Sequence, residues 1–156
     1  MSITIGKKAP TFDAVNQDGE KVSLKDLLGR WTVLYFYPRD NTSGCTTEAC
    51  EFSEGIRQFE GLDARVIGVS PDSPESHRKF IAKYKLNFDL LSDPEHEVME
   101  KFGAWGQKVM YGKKVEGVIR STVLIEPAGK VAFHWAKVKA AGHAAEVAAK
   151  LREVRG

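Results

Sequence analysis

The stretch RDNTSGCTTEACEF, residues 39–52, holds both cysteines of the 156-residue chain, Cys45 and Cys50, five positions apart. Two thiols so close in sequence can be redox-active, can ligate a metal, or can be small inert hydrophobes. A metal site needs more ligands: there is no Cys-x-x-Cys, and His77, His96, His134 and His143 are scattered without metal-site spacing. The missing Cys-x-x-Cys also argues against a general disulfide oxidoreductase. Pro38, Thr42, Ser43 and Gly44 form a polar, turn-rich approach that places Cys45 in the first turn of a helix. Backbone N–H groups there have no intrahelical partners, and the partial positive charge favours a thiolate, the nucleophilic form. Thr42 offers its hydroxyl as a cap, and Gly44 admits a substrate close to the backbone. The same approach argues against burial of Cys45, whereas Cys50, beside the apolar Phe52, suits burial.

The elements that must position these residues follow from pattern. FDAVNQDGEKVSL reads as two short strands around the Asp18-Gly19 turn, and Ser23 caps a brief turn ending at Gly29. WTVLYFYP is apolar on both faces and ends at Pro38, as expected of a central strand covered on both sides. Phe52, Ile56 and Phe59 recur at helical spacing, predicting a helix from Thr42 to about Glu60. ARVIGVS is a second buried strand, and PDSPESHRKFIAKYKL follows as a helix with Ser73 as cap and Pro74 at its first position. This is a βαβ unit. FDLLS then reads as a strand, Pro94 to Phe102 as a helix, GAWGQKVMYGKK as a glycine-rich connection, STVLIEPAGKVAFHW as a hairpin, and AAGHAAEVAAKLREV as a closing helix. The order predicts one α/β domain over residues 1–156, a thioredoxin-like fold with a central mixed sheet flanked by helices and an N-terminal β-hairpin.

Composition bounds the function. With 42% apolar and 28% charged residues the chain is an ordinary globular protein, large enough to fold without disulfide staples. A net charge of +2, from 23 Lys and Arg against 21 Asp and Glu, argues for neither nucleic acid nor an anionic membrane as partner. MSITIGKKAP lacks the long apolar run of a leader, so a cytoplasmic location is expected, where a lasting structural disulfide is disfavoured.

YPRDNTSGCTTEAC resembles the Pro-x-x-x-Thr-x-x-Cys motif of peroxiredoxins, with Pro38, Thr42 and Cys45 in register. A second cysteine five positions on is similar to the peroxiredoxin Q or bacterioferritin comigratory subfamily, and the likeness continues through LLSDPEHEV, FGAWGQKVMYGK and GVIRSTVLIEPAGKV. The resemblance implies a thioredoxin fold, thiol-dependent reduction of hydroperoxides without a cofactor, a thioredoxin or similar thiol reductant as partner, and a monomer. It makes Cys45 the peroxidatic cysteine and Cys50 the resolving one. It gives Thr42 a hydrogen bond to peroxide and thiolate, Arg120 a fixed charge that stabilises the thiolate, Glu48 the task of orienting Arg120, and Pro38 that of shielding the sulfur. By residue type alone Arg120 and Glu48 read as solvated surface groups. Ser43 departs from the proline this subfamily often carries before Gly44. Trp105 and Tyr111, in the glycine-rich connection, either cover the reactive helix or plug the core.

The implied disulfide conflicts with the predicted helix. Five residues of α-helix separate two positions by about 7.5 Å of rise and about 140° of rotation, whereas a disulfide needs Cα atoms within roughly 4.4–6.8 Å. The enzyme reading therefore carries local unfolding with it. The alternative is a redox-sensing or chaperone-like binding protein switched by the same disulfide.

Overall fold

The Asp18-Gly19 turn closes a hairpin of β1 (Asp13–Val15) and β2 (Lys21–Ser23), and Ser23 then donates from its N–H and hydroxyl to Asp26 at the start of the 3-10 turn Leu24–Leu27. This computed structural model describes residues 3–155. The central strand is β3 (Trp31–Phe36), followed by α1 (Ser43–Glu54) and α2 (Ile56–Gly61). β4 (Ala64–Ser70), α3 (Pro74–Tyr84), β5 (Asp89–Ser92) and α4 (Glu97–Lys101) come next. The chain closes with β6 (Trp105–Met110), β7 (Lys113–Val118), β8 (Ser121–Ile125), β9 (Val131–Trp135) and α5 (His143–Arg155). One seven-stranded mixed sheet runs β2-β1-β5-β4-β3-β8-β9, with β3, β4 and β5 parallel and the other pairings antiparallel. Among the described residues no helix is long and apolar enough to cross a membrane.

Alternation along β3 sets the layers, because successive side chains point to opposite faces. Val33 and Tyr35, with Tyr37 beyond the strand, enter a core with Phe52 and Phe59 from α1 and α2 and with Val147 and Leu151 from α5. Leu34 and Phe36 enter a second core with Leu24, Leu27, Met99 and Phe102. The helix predicted from Thr42 to Glu60 is broken at Gly55, whose N–H closes onto Glu51 O at 3.1 Å before α2 restarts. Phe52 and Phe59, seven residues apart across the break, still face the same core, ring centroids 5.8 Å apart.

Two expectations for GAWGQKVMYGKK are corrected. It is a hairpin, β6 with β7, set apart from the main sheet and turned by Tyr111 at φ +54° and Gly112 at φ +79°. Positive φ at both central residues is the geometry that a two-residue turn between twisted strands requires. Tyr111 is 98% exposed at that tip, so it neither covers the reactive helix nor plugs the core. Trp105 stacks on His96, ring centroids 3.6 Å apart, and packs against the second core.

Gly68 connects the sheet to the thiol helix. It lies opposite Tyr35 across β3 and β4, and a Cβ there would meet Leu90 Cδ2 at 2.8 Å and the Tyr35 ring at 2.9 Å. Tyr35 in turn stacks on Phe52 of α1, centroids 4.8 Å apart. Gly68→Ala is expected to overpack this point and cost about 1–3 kcal/mol, read as a lower urea midpoint. Unchanged stability would show that the Tyr35–Phe52 stack yields freely.

Candidate active site

The two thiols lie on α1, and the first turn of that helix closes by Thr46 N donating to Thr42 O at 2.8 Å. Cys45 and Cys50 are both free. Cys45 is 1% exposed and Cys50 is half-buried, the reverse of the order suggested by their neighbours in sequence. The polar approach does face solvent at Asn41, Thr42 and Ser43, but the helix turns the next side chain but one, Cys45, back against β3.

Arg120 reaches that sulfur from 75 residues away in sequence. The cause is strand register: Ser121 pairs with Phe36, so the residue before β8 sits beside the end of β3, where the chain turns into α1. Arg120 Nη2 donates to Cys45 Sγ at 3.1 Å, and Nη1 donates to Glu48 Oε1 at 2.5 Å. The backbone holds Arg120 as well, since Val138 N donates to its carbonyl at 2.9 Å. Gly44 lies beside the guanidinium, where a Cβ would make ordinary van der Waals contact with Arg120 Nη2 at 3.4 Å. Pro38 stands half-buried at the bend after β3.

Glu48 is not the surface glutamate of its residue type, for its side chain is fully buried and its Oε2 has no hydrogen-bond partner among the described residues. Burial pushes its carboxyl up to about 7, against the opposing charge and hydrogen bond of Arg120. Burial pulls Arg120 down, but Glu48 and the Cys45 sulfur outweigh this and raise it above its ordinary value. Tyr35, behind the same site with its hydroxyl unpartnered, is pushed well up by burial and then by the nearby Glu48 and Cys45 charges. Cys50 is pushed up too, by desolvation and by Glu54.

Thr42 departs from expectation. It occupies the N-cap position, but its hydroxyl makes no cap bond and instead donates to Arg39 O at 2.9 Å. Sequence reasoning also missed a buried network beside the site, in which Asp40 takes Tyr37, Ser76 and His77 as partners. Its only sequence signal was a buried-strand end followed by an acid, which does not point to a histidine 37 residues on. His143 is equally structural: its Nε2 and Thr122 Oγ1 are 2.7 Å apart, and its ring packs edge-on to Phe52.

Residues 5–134 match the AhpC/TSA family. The peroxiredoxin Bcp of Bacillus subtilis is 47% identical over 154 residues, covering 99% of this chain and 98% of that protein. The chain belongs to the peroxiredoxins, in the peroxiredoxin Q or bacterioferritin comigratory group. A structure of Xanthomonas campestris peroxiredoxin Q, 39% identical, superposes with a TM-score of 0.91 over 97% of this chain and 99% of that one. So does a bacterioferritin comigratory protein from the same organism, 38% identical with a TM-score of 0.91 over 98% and 100%, from work on its alkyl peroxide reduction activity. The fold of this peroxiredoxin is thus thioredoxin-like, and the chain is a thiol-dependent peroxidase.

A buried carboxyl whose folded value is raised stabilises the fold below its unfolded value, here 4.5, and that contribution is lost as pH rises through about 7. In urea titrations of the reduced protein, the unfolding free energy of wild type minus that of Glu48→Gln is therefore expected to fall from pH 4.5 to 7 and to level above. A difference independent of pH would mean that Arg120 keeps Glu48 ionised throughout.

Proposed function

We propose that Cys45 is the peroxidatic cysteine and Cys50 its resolving partner. The thiolate of Cys45 attacks one oxygen of a hydroperoxide, the O–O bond breaks, and the sulfur leaves as sulfenic acid while the other oxygen departs as alcohol or water after taking a proton. Cys50 thiolate then attacks the Cys45 sulfur, the S–O bond breaks as the disulfide forms, and the sulfenic oxygen departs as hydroxide, which takes a proton from solvent to become water. A protein dithiol of the thioredoxin type returns the two electrons. The substrates in this reading are hydrogen peroxide and organic hydroperoxides, and a single cytoplasmic chain with no cofactor is the working unit.

The observation that carries the reading is the 3.1 Å contact of Arg120 Nη2 with Cys45 Sγ. A guanidinium held by Glu48 and by the Val138 backbone is a fixed donor, and a fixed donor stabilises charge without reorganising as the sulfur reacts and the leaving oxygen gains charge. A sensor needs an oxidisable thiol but no such preorganised donor, and this favours turnover over the binding-protein alternative. Pro38 and Gly44 shape the approach, and Thr42 serves by its place at the helix start.

The thiols differ in setting, so their variants should differ in kind. Cys45→Ser is expected to abolish peroxide-dependent NADPH oxidation in the presence of thioredoxin and its reductase. Cys50→Ser should react once, with sulfenic acid at Cys45 trapped by dimedone and seen by mass spectrometry. Sulfenic acid on Cys50 in the Cys45→Ser protein, formed at the wild-type rate, would reverse the roles.

Resolution also demands motion, because Cys45 and Cys50 share one unbroken helix, Ser43–Glu54. About 7.5 Å of rise has to collapse to disulfide distance. The opening has to release Glu48 from Arg120 and Glu51 from the Gly142 N–H, which now donates to it at 2.7 Å. Amides of residues 43–52 are expected to exchange at least about tenfold faster in the disulfide form than in the reduced form, since local opening exposes them. Equal protection throughout this segment in both forms would exclude the Cys45–Cys50 bond.

A further inference from the structure

The loop between β3 and α1 carries no thiol, yet side chains of α3 grip it along their whole helix. Asp40 Oδ1 accepts from the Tyr37 hydroxyl at 2.5 Å, while Oδ2 accepts from the Ser76 hydroxyl at 2.8 Å and faces His77 Nδ1 at 2.7 Å. The Asp40 N–H donates to Asp72 Oδ2 at 2.7 Å. One residue on, Asn41 Oδ1 accepts from Lys83 Nζ at 3.2 Å and from the Tyr84 hydroxyl at 3.0 Å.

The Asp40–His77 contact is the centre of this grip. His77 Nε2 faces the Leu91 carbonyl at 2.9 Å, and a carbonyl only accepts, so that nitrogen carries a proton. The 2.7 Å line from Nδ1 to Asp40 Oδ2 holds the other side of the ring. Side-chain exposures are 0% for His77 and 4% for Asp40, so each is the other's replacement for water. Breaking the bond would leave two buried polar groups without partners, which is costly.

The grip stops abruptly. Asn41 is in the left-handed conformation at φ +60°, Thr42 is extended, and α1 begins at Ser43. Beyond that point, among the described residues, the side-chain hydrogen bonds joining residues 43–52 of α1 to the rest of the molecule are those of Cys45 and Glu48 with Arg120 and of Glu51 with Gly142. We propose that Asp40, held by His77, is a positioning residue that fixes the upstream edge of the segment which opens, so that the hinge falls at Thr42–Ser43, Cys45 stays near its post and Cys50 travels. This rests on the Cys45 and Cys50 roles proposed above.

A trade between two steps follows, and plain destabilisation does not produce it. Loosening the loop depopulates the state in which Arg120 meets the sulfur, so the first oxidation slows. It also makes opening easier, so sulfenic acid is captured by Cys50 sooner and a second peroxide converts less of it to sulfinic acid. The test uses the full-length reduced protein with both cysteines present. Single-turnover oxidation is followed by tryptophan fluorescence, and the sulfinic share of Cys45 after a hydrogen peroxide pulse is measured by mass spectrometry.

Asp40→Asn and His77→Gln are expected to slow oxidation about tenfold, as small misplacements of reacting groups do, and to lower the sulfinic share several-fold. His77→Asn puts an amide nitrogen where Nδ1 stood and should stay close to wild type in both readings. Tyr84→Phe loses only a solvent-facing hydroxyl and should shift both in the same sense by less, which decides the matter if Asp40→Asn does not fold. Unmoved values, a slower oxidation with a larger sulfinic share, or no difference between His77→Asn and His77→Gln would overturn the proposal. A wild-type protein that forms no Cys45–Cys50 disulfide would instead remove the reading on which it rests.

Discussion

Arg120 touches the Cys45 sulfur with one nitrogen and a buried carboxyl with another, and much of the architecture consists of what it takes to put a guanidinium there. Two groups that compete for one positive charge share a fork whose spacing is rigid, which a flexible ammonium would not provide. The fork comes from the start of β8, the thiol and the carboxyl from α1, and only the antiparallel register of β3 with β8 brings the two together. Gly68 lets Tyr35 lie flat enough to carry Phe52 and with it the rest of α1. The contact is therefore set by the sheet rather than by the helix that bears the thiol.

Burial gives that contact its strength and its cost. With the sulfur almost fully covered and Glu48 completely so, water screens the site weakly and each charge is felt by the others. Glu48 shows the cost most plainly, since desolvation raises its carboxyl even with an arginine at hydrogen-bond distance. While the carboxyl is protonated, the charge of Arg120 is left to the sulfur. Once it is ionised, the arginine is held more firmly and shared more evenly.

What could be read from the sequence follows the range of the forces involved. The apolar run of β3, the βαβ unit and the Ser73-Pro74 helix start were legible because each is decided by neighbours. Gly55 breaks the thiol helix without erasing its apolar spacing, so Phe52, Ile56 and Phe59 still read as one helix. The β6–β7 hairpin has too few buried positions to show alternation, and its turn uses Tyr111 in a conformation that favours glycine or asparagine. At the site, Cys45 was legible from its place after a buried strand. Arg120 was not, except by family resemblance, because a contact between residues 75 apart, set by the register of β3 with β8, leaves no local mark. The Asp40–His77 pair is hidden for the same reason.

The two thiols of α1 sit in different settings, and that of Cys50 bears on the roles proposed for them. Half-buried and beside Glu54, its thiol is pushed up, so in the closed helix it is a poor nucleophile as well as too distant from Cys45. In the proposed role of Cys50 as resolving thiol, opening would remove the burial and separate it from helical neighbours, so that one motion would both deliver the thiol and free it to ionise. The closed helix, by contrast, keeps Cys45 beside Arg120 and keeps Cys50 out of the reaction. In the reaction proposed above, oxidation of Cys45 and its resolution by Cys50 would draw on two conformations that exclude each other, and the stability of the helix Ser43–Glu54 would set how long the oxidised sulfur waits between them.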